Sequence, residues 1–216
     1  MICFISAFFY TTIANVTFLY GAMPLVTLVL SAIFLGERLT IIAGFCCGLA
    51  ALGVGVLVWG EQDFSNWTGF LLAFGMTFFM SALTIAAKFY PSADTMKATY
   101  LSAFLAAALT FPFSAFSNTA GSDYAWLVLY GIVNVGLGFG VYLLGVEKVP
   151  ALMAALIGLV EIPLAPVWGW LLFNEPVSTK AKIGGAVVLT AAAVYLIAKS
   201  FLRSSEKSLE FPGPSS

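Results

Sequence analysis

Residues 150–178 read PALMAALIGLVEIPLAPVWGWLLFNEPVS, and between Pro150 and Phe173 the one acidic or basic side chain is Glu161, midway along. A helix needs about 20 mainly apolar residues to cross roughly 30 Å of hydrocarbon, so this run is a membrane span. A charge at the centre of a span costs about 2.5–3.5 kcal/mol on insertion scales, which makes Glu161 an interior-facing, functional residue by default. Ala151, Ala154, Gly158, Glu161, Ala165 and Gly169 recur at helical spacing and form a stripe of small residues with one carboxyl in it. Pro163 and Pro166 predict a bend just beyond Glu161 that frees backbone carbonyls.

The same reading extends outward over the whole chain of 216 residues, 61% of them hydrophobic and 9% charged. Soluble domains carry about 25% charged residues, so the composition is that of an integral membrane protein. Breaks at charge, Gly, Pro and Asn divide it into eight apolar segments, at about 2–20, 22–36, 40–60, 67–89, 98–117, 124–146, 150–173 and 181–199. Residues 2–36 hold no charge and are too long for one span; Gly21-Ala22-Met23-Pro24 is the expected break. The expected fold class is therefore all-α, a polytopic bundle of eight transmembrane helices.

Basic residues set the orientation. Eight spans put both termini on one side with Arg38, Lys88, Lys97, Lys148, Lys199, Arg203 and Lys207, and leave Lys180 and Lys182 on the other. The first side is expected to be cytoplasmic, in the cytoplasmic membrane of a bacterium. Met1 opens almost directly into an apolar run with no charged n-region, unlike a cleavable signal peptide. The tail from Phe201 to Ser216, rich in Ser, Pro and charge, is expected to be disordered.

Two stretches share one architecture. A span with Pro24 ends at Leu35-Gly36-Glu37-Arg38-Leu39-Thr40 and precedes a Gly-rich span; a span with Pro163 ends at Phe173-Asn174-Glu175-Pro176-Val177-Ser178 and precedes a small-residue span. Aligning Glu37 with Glu175 also aligns Thr40 with Ser178 and Gly53 with Ala191. The parity above places the two turns on opposite sides, so the repeat is inverted, as in secondary transporters with a midplane site. The Leu35–Thr40 turn resembles that of EamA-like proteins of the drug/metabolite transporter superfamily. The second half, through Gly138-Phe139-Gly140-Val141-Tyr142, Glu161-Ile162-Pro163 and Asn174-Glu175-Pro176, is similar to that family's second domain. The resemblance implies ten helices in two inverted halves of five, with both termini cytoplasmic. Residues 1–60 would be three helices of the first half, two more being expected before Met1; residues 67–199 would be the second half, and 200–216 a tail. It also implies export of amino acids or related metabolites, with nucleotide-sugar or drug transport as the alternative.

The candidate substrate- or ion-binding residues are Glu161, Asn134, Tyr142, Trp168, Asn15, Ser81 and Thr84. Glu161 is expected to couple transport to protons or to contact a substrate amine. Asn134 and Tyr142 lie on a stripe with Gly131, Gly138 and Gly145, where an amide serves either a substrate or a neighbouring helix. Thr77, Ser81, Thr84 and Lys88 form a polar face of 67–89, with Lys88 expected to snorkel. Trp168 stands between Glu161 and the external end, and Asn15 with Thr11 and Thr12 lines the cavity or packs. Glu37 and Glu175 are read as caps of the next helix or local partners. Gly44 with Gly48, and Gly184 with Gly185, are read as packing or homodimer faces.

The chain has no histidine, which removes His-ligated metals and Ser-His or Cys-His catalysis. Asp63, Asp94 and Asp123 fall at span ends, leaving no acid/base partner for Glu161 and arguing against an intramembrane enzyme. Cys3, Cys46 and Cys47 sit in apolar runs and read as small buried hydrophobes. A net charge of −1 without a basic cluster argues against nucleic acid. No cofactor is expected. The expected partners are a small-molecule substrate and the lipid bilayer, and a scaffold or partner subunit is the reading from a different class.

Overall fold

The computed structural model describes residues 2–37, 39–60, 66–90, 95–113, 121–174 and 176–210, and every regular element among them is helical. Apolar surroundings offer no partner to a free backbone group, so the chain satisfies its peptide groups within each segment. The helices are α1 (Ile2–Tyr10), α2 (Ile13–Tyr20), α3 (Met23–Phe34), α4 (Ile41–Leu57), α5 (Trp67–Phe89), α6 (Thr95–Thr110), α7 (Gly121–Tyr130), α8 (Phe139–Val146), α9 (Ala151–Gly158), α10 (Glu161–Phe173) and α11 (Thr179–Glu210). A π-helical stretch, Gly131–Gly138, joins α7 to α8, and a short 3₁₀ turn, Phe111–Phe113, follows α6.

The first break lies elsewhere than expected. Gly21 and Ala22 keep right-handed helical angles, so α2 and α3 form one bent rod, Ile13–Phe34. Pro24 sits in the first turn of α3, where its missing N–H costs nothing, and bends the chain without turning it back. The turn falls instead at Thr11-Thr12, where the Thr12 hydroxyl accepts from the Asn15 amide at 3.2 Å and caps α2. The segments 2–20 and 22–36 are thereby redrawn as 2–10 and 13–34. Among the described residues five helices are long and apolar enough to cross a membrane: Ile13–Phe34, Trp67–Phe89, Tyr124–Val146, Ala151–Leu172 and Thr179–Ser200. The other three of the eight expected segments appear as shorter apolar helices, α1, α4 and the Tyr100–Leu109 part of α6.

Side-chain caps sit where the two turns align. The Thr40 hydroxyl accepts from the Ala43 amide, and the Ser178 hydroxyl from the Ala181 amide, each at three residues' spacing. These hydroxyls, and not Glu37, cap α4 and α11; Glu37 faces Tyr195 of α11, and Glu175 lies outside the described residues. Gly36 takes φ +66° to end α3, a left-handed angle that a side chain would strain. Helix α11 runs past its apolar part to Glu210, so the tail expected to be disordered from Phe201 is helical that far; no proline interrupts it before Pro212.

Helix α5 is the spine of the bundle. It packs against α1, α2, α3, α8 and α9. Thr11 abuts Gly69, and Ser81 Oγ donates to the Met23 carbonyl at 3.3 Å, so the α2–α3 rod runs parallel to α5. Thr84 meets Tyr142 and Lys88 meets Val146 at the same offset of 58 residues, so α8 is parallel to α5 as well. Helix α1 returns antiparallel, with Cys3 near Gly75 and Tyr10 beside Gly69.

Helices α4 and α11 form an antiparallel pair, and α9 packs on both. Cys46, Cys47, Val54, Leu152, Leu156, Leu159 and Val188 are buried in this core. The pair is tightest where a Cβ on Gly184 would lie 2.5 Å from the Gly53 carbonyl oxygen and 2.6 Å from the Leu57 nitrogen. Both are backbone atoms that cannot step aside. By contrast, Gly44 and Gly48, the expected GxxxG face, have nothing within 4 Å of such a Cβ. Without a hydrophobic force between helices in lipid, such close backbone approach supplies much of the association.

Gly184→Val is therefore expected to lower the melting temperature in detergent, by overpacking of about 1–3 kcal/mol or more. Gly44→Ala and Gly48→Ala should leave it unchanged or raise it, because alanine favours helix by about 1 kcal/mol. Equal losses at the three sites would show that the Gly53–Gly184 approach does not hold the pair.

Candidate functional site

Two bent rods carry the site. In Ala151–Leu172 the bend lies at Leu159-Val160: the Val160 amide donates to the Ile157 carbonyl and the Ile162 amide to the Leu159 carbonyl, both at 3.1 Å and both over three residues instead of four. The distortion begins before Glu161 and not just beyond it as the sequence suggested, because a proline ring clashes with the turn on its N-terminal side. Pro163 falls in the first turn of α10, and only Pro166 is inside the helix. The α2–α3 rod repeats the arrangement: the Ala22 amide donates to the Leu19 carbonyl at 3.1 Å, two residues before Pro24.

Glu161 opens α10 at this bend, at the N-terminal end of a helix whose dipole favours a negative charge. Tyr20, at the bend of the other rod, turns its hydroxyl toward the Glu161 carboxyl. Tyr142 of α8 stands near enough to interact electrostatically with the same carboxyl. Its hydroxyl lies 2.8 Å from Thr84 Oγ1, which itself donates to the Met80 carbonyl at 3.0 Å. Thr84 is buried, the two tyrosines are part-buried, and Glu161 is exposed. A carboxyl halfway along its span is thus exposed on one side, with the hydroxyls of Tyr20 and Tyr142 beside it and Thr84 behind Tyr142.

Of the residues expected from sequence, the fold gathers Glu161, Tyr142 and Thr84. Ser81 is buried one turn from Thr84, but its hydroxyl holds the Met23 carbonyl. Asn15 is 1% exposed and donates to Thr11 Oγ1 at 2.6 Å, fixing the α1–α2 turn, so it packs and does not line the site. Trp168 is exposed two turns along α10 on the open face that Glu161 and Ala165 share, outside the hydroxyl cluster. The side chain of Asn134 lies outside the described residues. Lys88 does not merely snorkel: its ammonium donates to the Val146 and Val149 carbonyls and ties α5 to the α8–α9 elbow.

Tyr20 escaped the sequence reading. The expected segment bounds put it at the end of a span; once Ile13–Phe34 is one rod, it is a phenol inside a span, whose polar tip requires a partner. The signal was available in Tyr20-Gly21 followed by Pro24, a polar tip beside a bend. A groove of about 520 Å³ between α6 and the π-helical stretch is lined by apolar residues such as Leu137 and Leu144, and none of the polar cluster reaches it. Among the described residues no three of His, Cys, Asp and Glu come together to hold a metal ion.

Comparison with curated proteins finds no match. One crystal structure superposes with a TM-score of 0.77 at 20% identity, over 93% of this chain and 73% of that one, and so shares its fold. Residues 67–197, from α5 into α11, match the family model described as EamA-like transporter family. That match spans more than half of this multi-pass, all-helical membrane chain, which belongs to the EamA-like transporter family.

Proposed function

We propose that the chain is a secondary transporter that exports a small polar metabolite, such as an amino acid, by alternating access, with Glu161 at its binding site. One observation carries this reading: a carboxyl held halfway along a span, at the meeting of two proline-bent rods, exposed on one side, with Tyr20 and Tyr142 beside it and Thr84 bonded to Tyr142. A bent rod offers a hinge, and a midplane carboxyl offers a contact that both faces of the membrane reach in turn. A nucleotide sugar fits less well, because its phosphates would stand beside a carboxylate with no ion pair among the described residues.

The inverted repeat belongs to the same proposal. The two bends, the prolines just after them and the hydroxyl caps Thr40 and Ser178 occupy corresponding places in the two halves. The parallel run of α2–α3, α5 and α8 and the antiparallel α4–α11 pair suit the charge-derived orientation. On this reading α1, α4 and α6 complete eight crossings of a bacterial cytoplasmic membrane, with both ends of the chain in the cytoplasm.

In proteoliposomes Glu161→Gln should cut transport by about 10–100-fold, the worth of a charge-assisted hydrogen bond of roughly 1.5–3 kcal/mol. It should also abolish any dependence of transport on pH. Unchanged rates with an unchanged pH profile would remove Glu161 from the mechanism.

The orientation has a separate check. In a background without the three native cysteines, Leu39→Cys and Val177→Cys should react with an impermeant maleimide from opposite sides of intact vesicles. Labelling of both from one side would end the inverted-repeat reading.

A further inference from the structure

Helix α3 carries two side-chain hydroxyls, and one of them is stranded. Ser31 is buried and donates to the Leu28 carbonyl at 3.0 Å, three residues back. Thr27, one turn earlier and 0% exposed, has no hydrogen-bond partner among the described residues. A helical threonine commonly turns its hydroxyl to the carbonyl four residues back, as Thr77 does to Ala73 at 3.1 Å and Thr190 to Ala186 at 2.7 Å. For Thr27 that carbonyl is Met23's, and it is occupied. Ser81 of α5 donates to it at 3.3 Å, beside the N–H that Thr27 itself supplies within the helix. A carbonyl has two lone pairs, so no place is left for a third donor. Nor does Thr27 turn to the Pro24 carbonyl, the choice that Ser31 makes with Leu28.

The two hydroxyls can exchange partners. If Ser81 turns to the Thr77 carbonyl, four residues back on α5, and Thr27 to the Met23 carbonyl, both are bonded where now one is. Each proton then stays within its own helix, so α3 and α5 give up this bond without stranding a polar group. Lipid offers no substitute partner, and a membrane helix that moves has to exchange hydrogen bonds inside the protein. We infer that Ser81 and Thr27 form a release latch for the α2–α3 rod: Ser81 on Met23 holds the rod in register with α5, and Thr27 takes over that carbonyl when the rod moves. Met23 directly precedes Pro24, so release loosens the bend that brings Tyr20 toward Glu161. Thr27 is thus a positioning residue acting through the Met23 carbonyl. The inference rests on the transporter reading above and names its moving element. The other bent rod has no such device: residues 151–173 contain no serine or threonine, and Pro163 lies against Gly185 of α11.

The test uses the full chain in detergent and reads two quantities that need no substrate. The first is the distance between spin labels at Val29→Cys and Leu71→Cys, exposed positions on α3 and α5, in a background without the native cysteines. Two distances are expected, latched and released. Thr27→Val removes the stranded hydroxyl of the latched form and the replacement donor of the released form. It should cut the ratio of released to latched at least about fivefold. Ser81→Ala should raise that ratio by a similar factor, and Thr27→Ser, which keeps the hydroxyl, should match the parent. The second quantity is the melting temperature of the chain with its cysteines intact. Thr27→Val should raise it. Ser81→Ala should lower it little while Thr27 can take the vacated carbonyl, and more in the Thr27→Val background. A threonine that only packs would leave the distances unmoved and the two effects additive. A single distance in every variant, or additive effects on melting, would overturn the inference. So would a lower melting temperature in Thr27→Val, the mark of a hydroxyl satisfied by a buried water. Each of these results leaves the Glu161 reading standing, whereas unchanged transport in Glu161→Gln with the exchange intact would remove that reading alone.

Discussion

A carboxyl halfway across a hydrocarbon layer has to be given polar company by the protein, and the arrangement of four helices follows from that condition. Glu161 costs several kcal/mol if left to lipid. It is met by the Tyr20 hydroxyl, faced by Tyr142, and set at the start of a helix whose dipole suits it. Each partner comes from a different element, so none of the contacts can form until the bundle has assembled. The bends make the meeting geometrically possible: both rods depart from regular helix within four residues before a proline, and the two polar side chains emerge at those departures.

The rest of the fold holds this meeting in register. Helix α5 aligns the α2–α3 rod on one side and α8 on the other at the same offset, through Ser81 on the Met23 carbonyl and Thr84 on Tyr142. A hydroxyl that donates to a neighbouring helix is worth only about a kcal/mol in a membrane, yet it fixes axial position where apolar contacts would allow sliding. On the opposite flank, α4 and α11 approach closely at Gly53 and Gly184, and α10 lies on α11, with Pro163 against Gly185. Gly21 meets Val54 on the same flank. Both bends are thus buttressed by one glycine-paired core, while the Glu161 face of α10 is left open.

The membrane class and the helical character of the chain were legible in composition and run length, because transfer to lipid depends on residue type and number, which sequence states directly. The singular place of Glu161 and the buried role of Cys46 and Cys47 were legible for the same kind of reason, each being a local property, whereas the cap expected of Glu37 fell to Thr40. The boundary at Gly21–Pro24 was not, since a proline in a first turn suits both a reversal and a bend, and the choice lay with the cap at Thr12. That error hid Tyr20. Nor could sequence say that Gly53 with Gly184, and not Gly44 with Gly48, forms the close contact. Which face of a membrane helix meets which neighbour is set by rotation about its axis, and a helix apolar all round does not encode that rotation. Only the packed bundle decided it, and with it the company that Glu161 keeps.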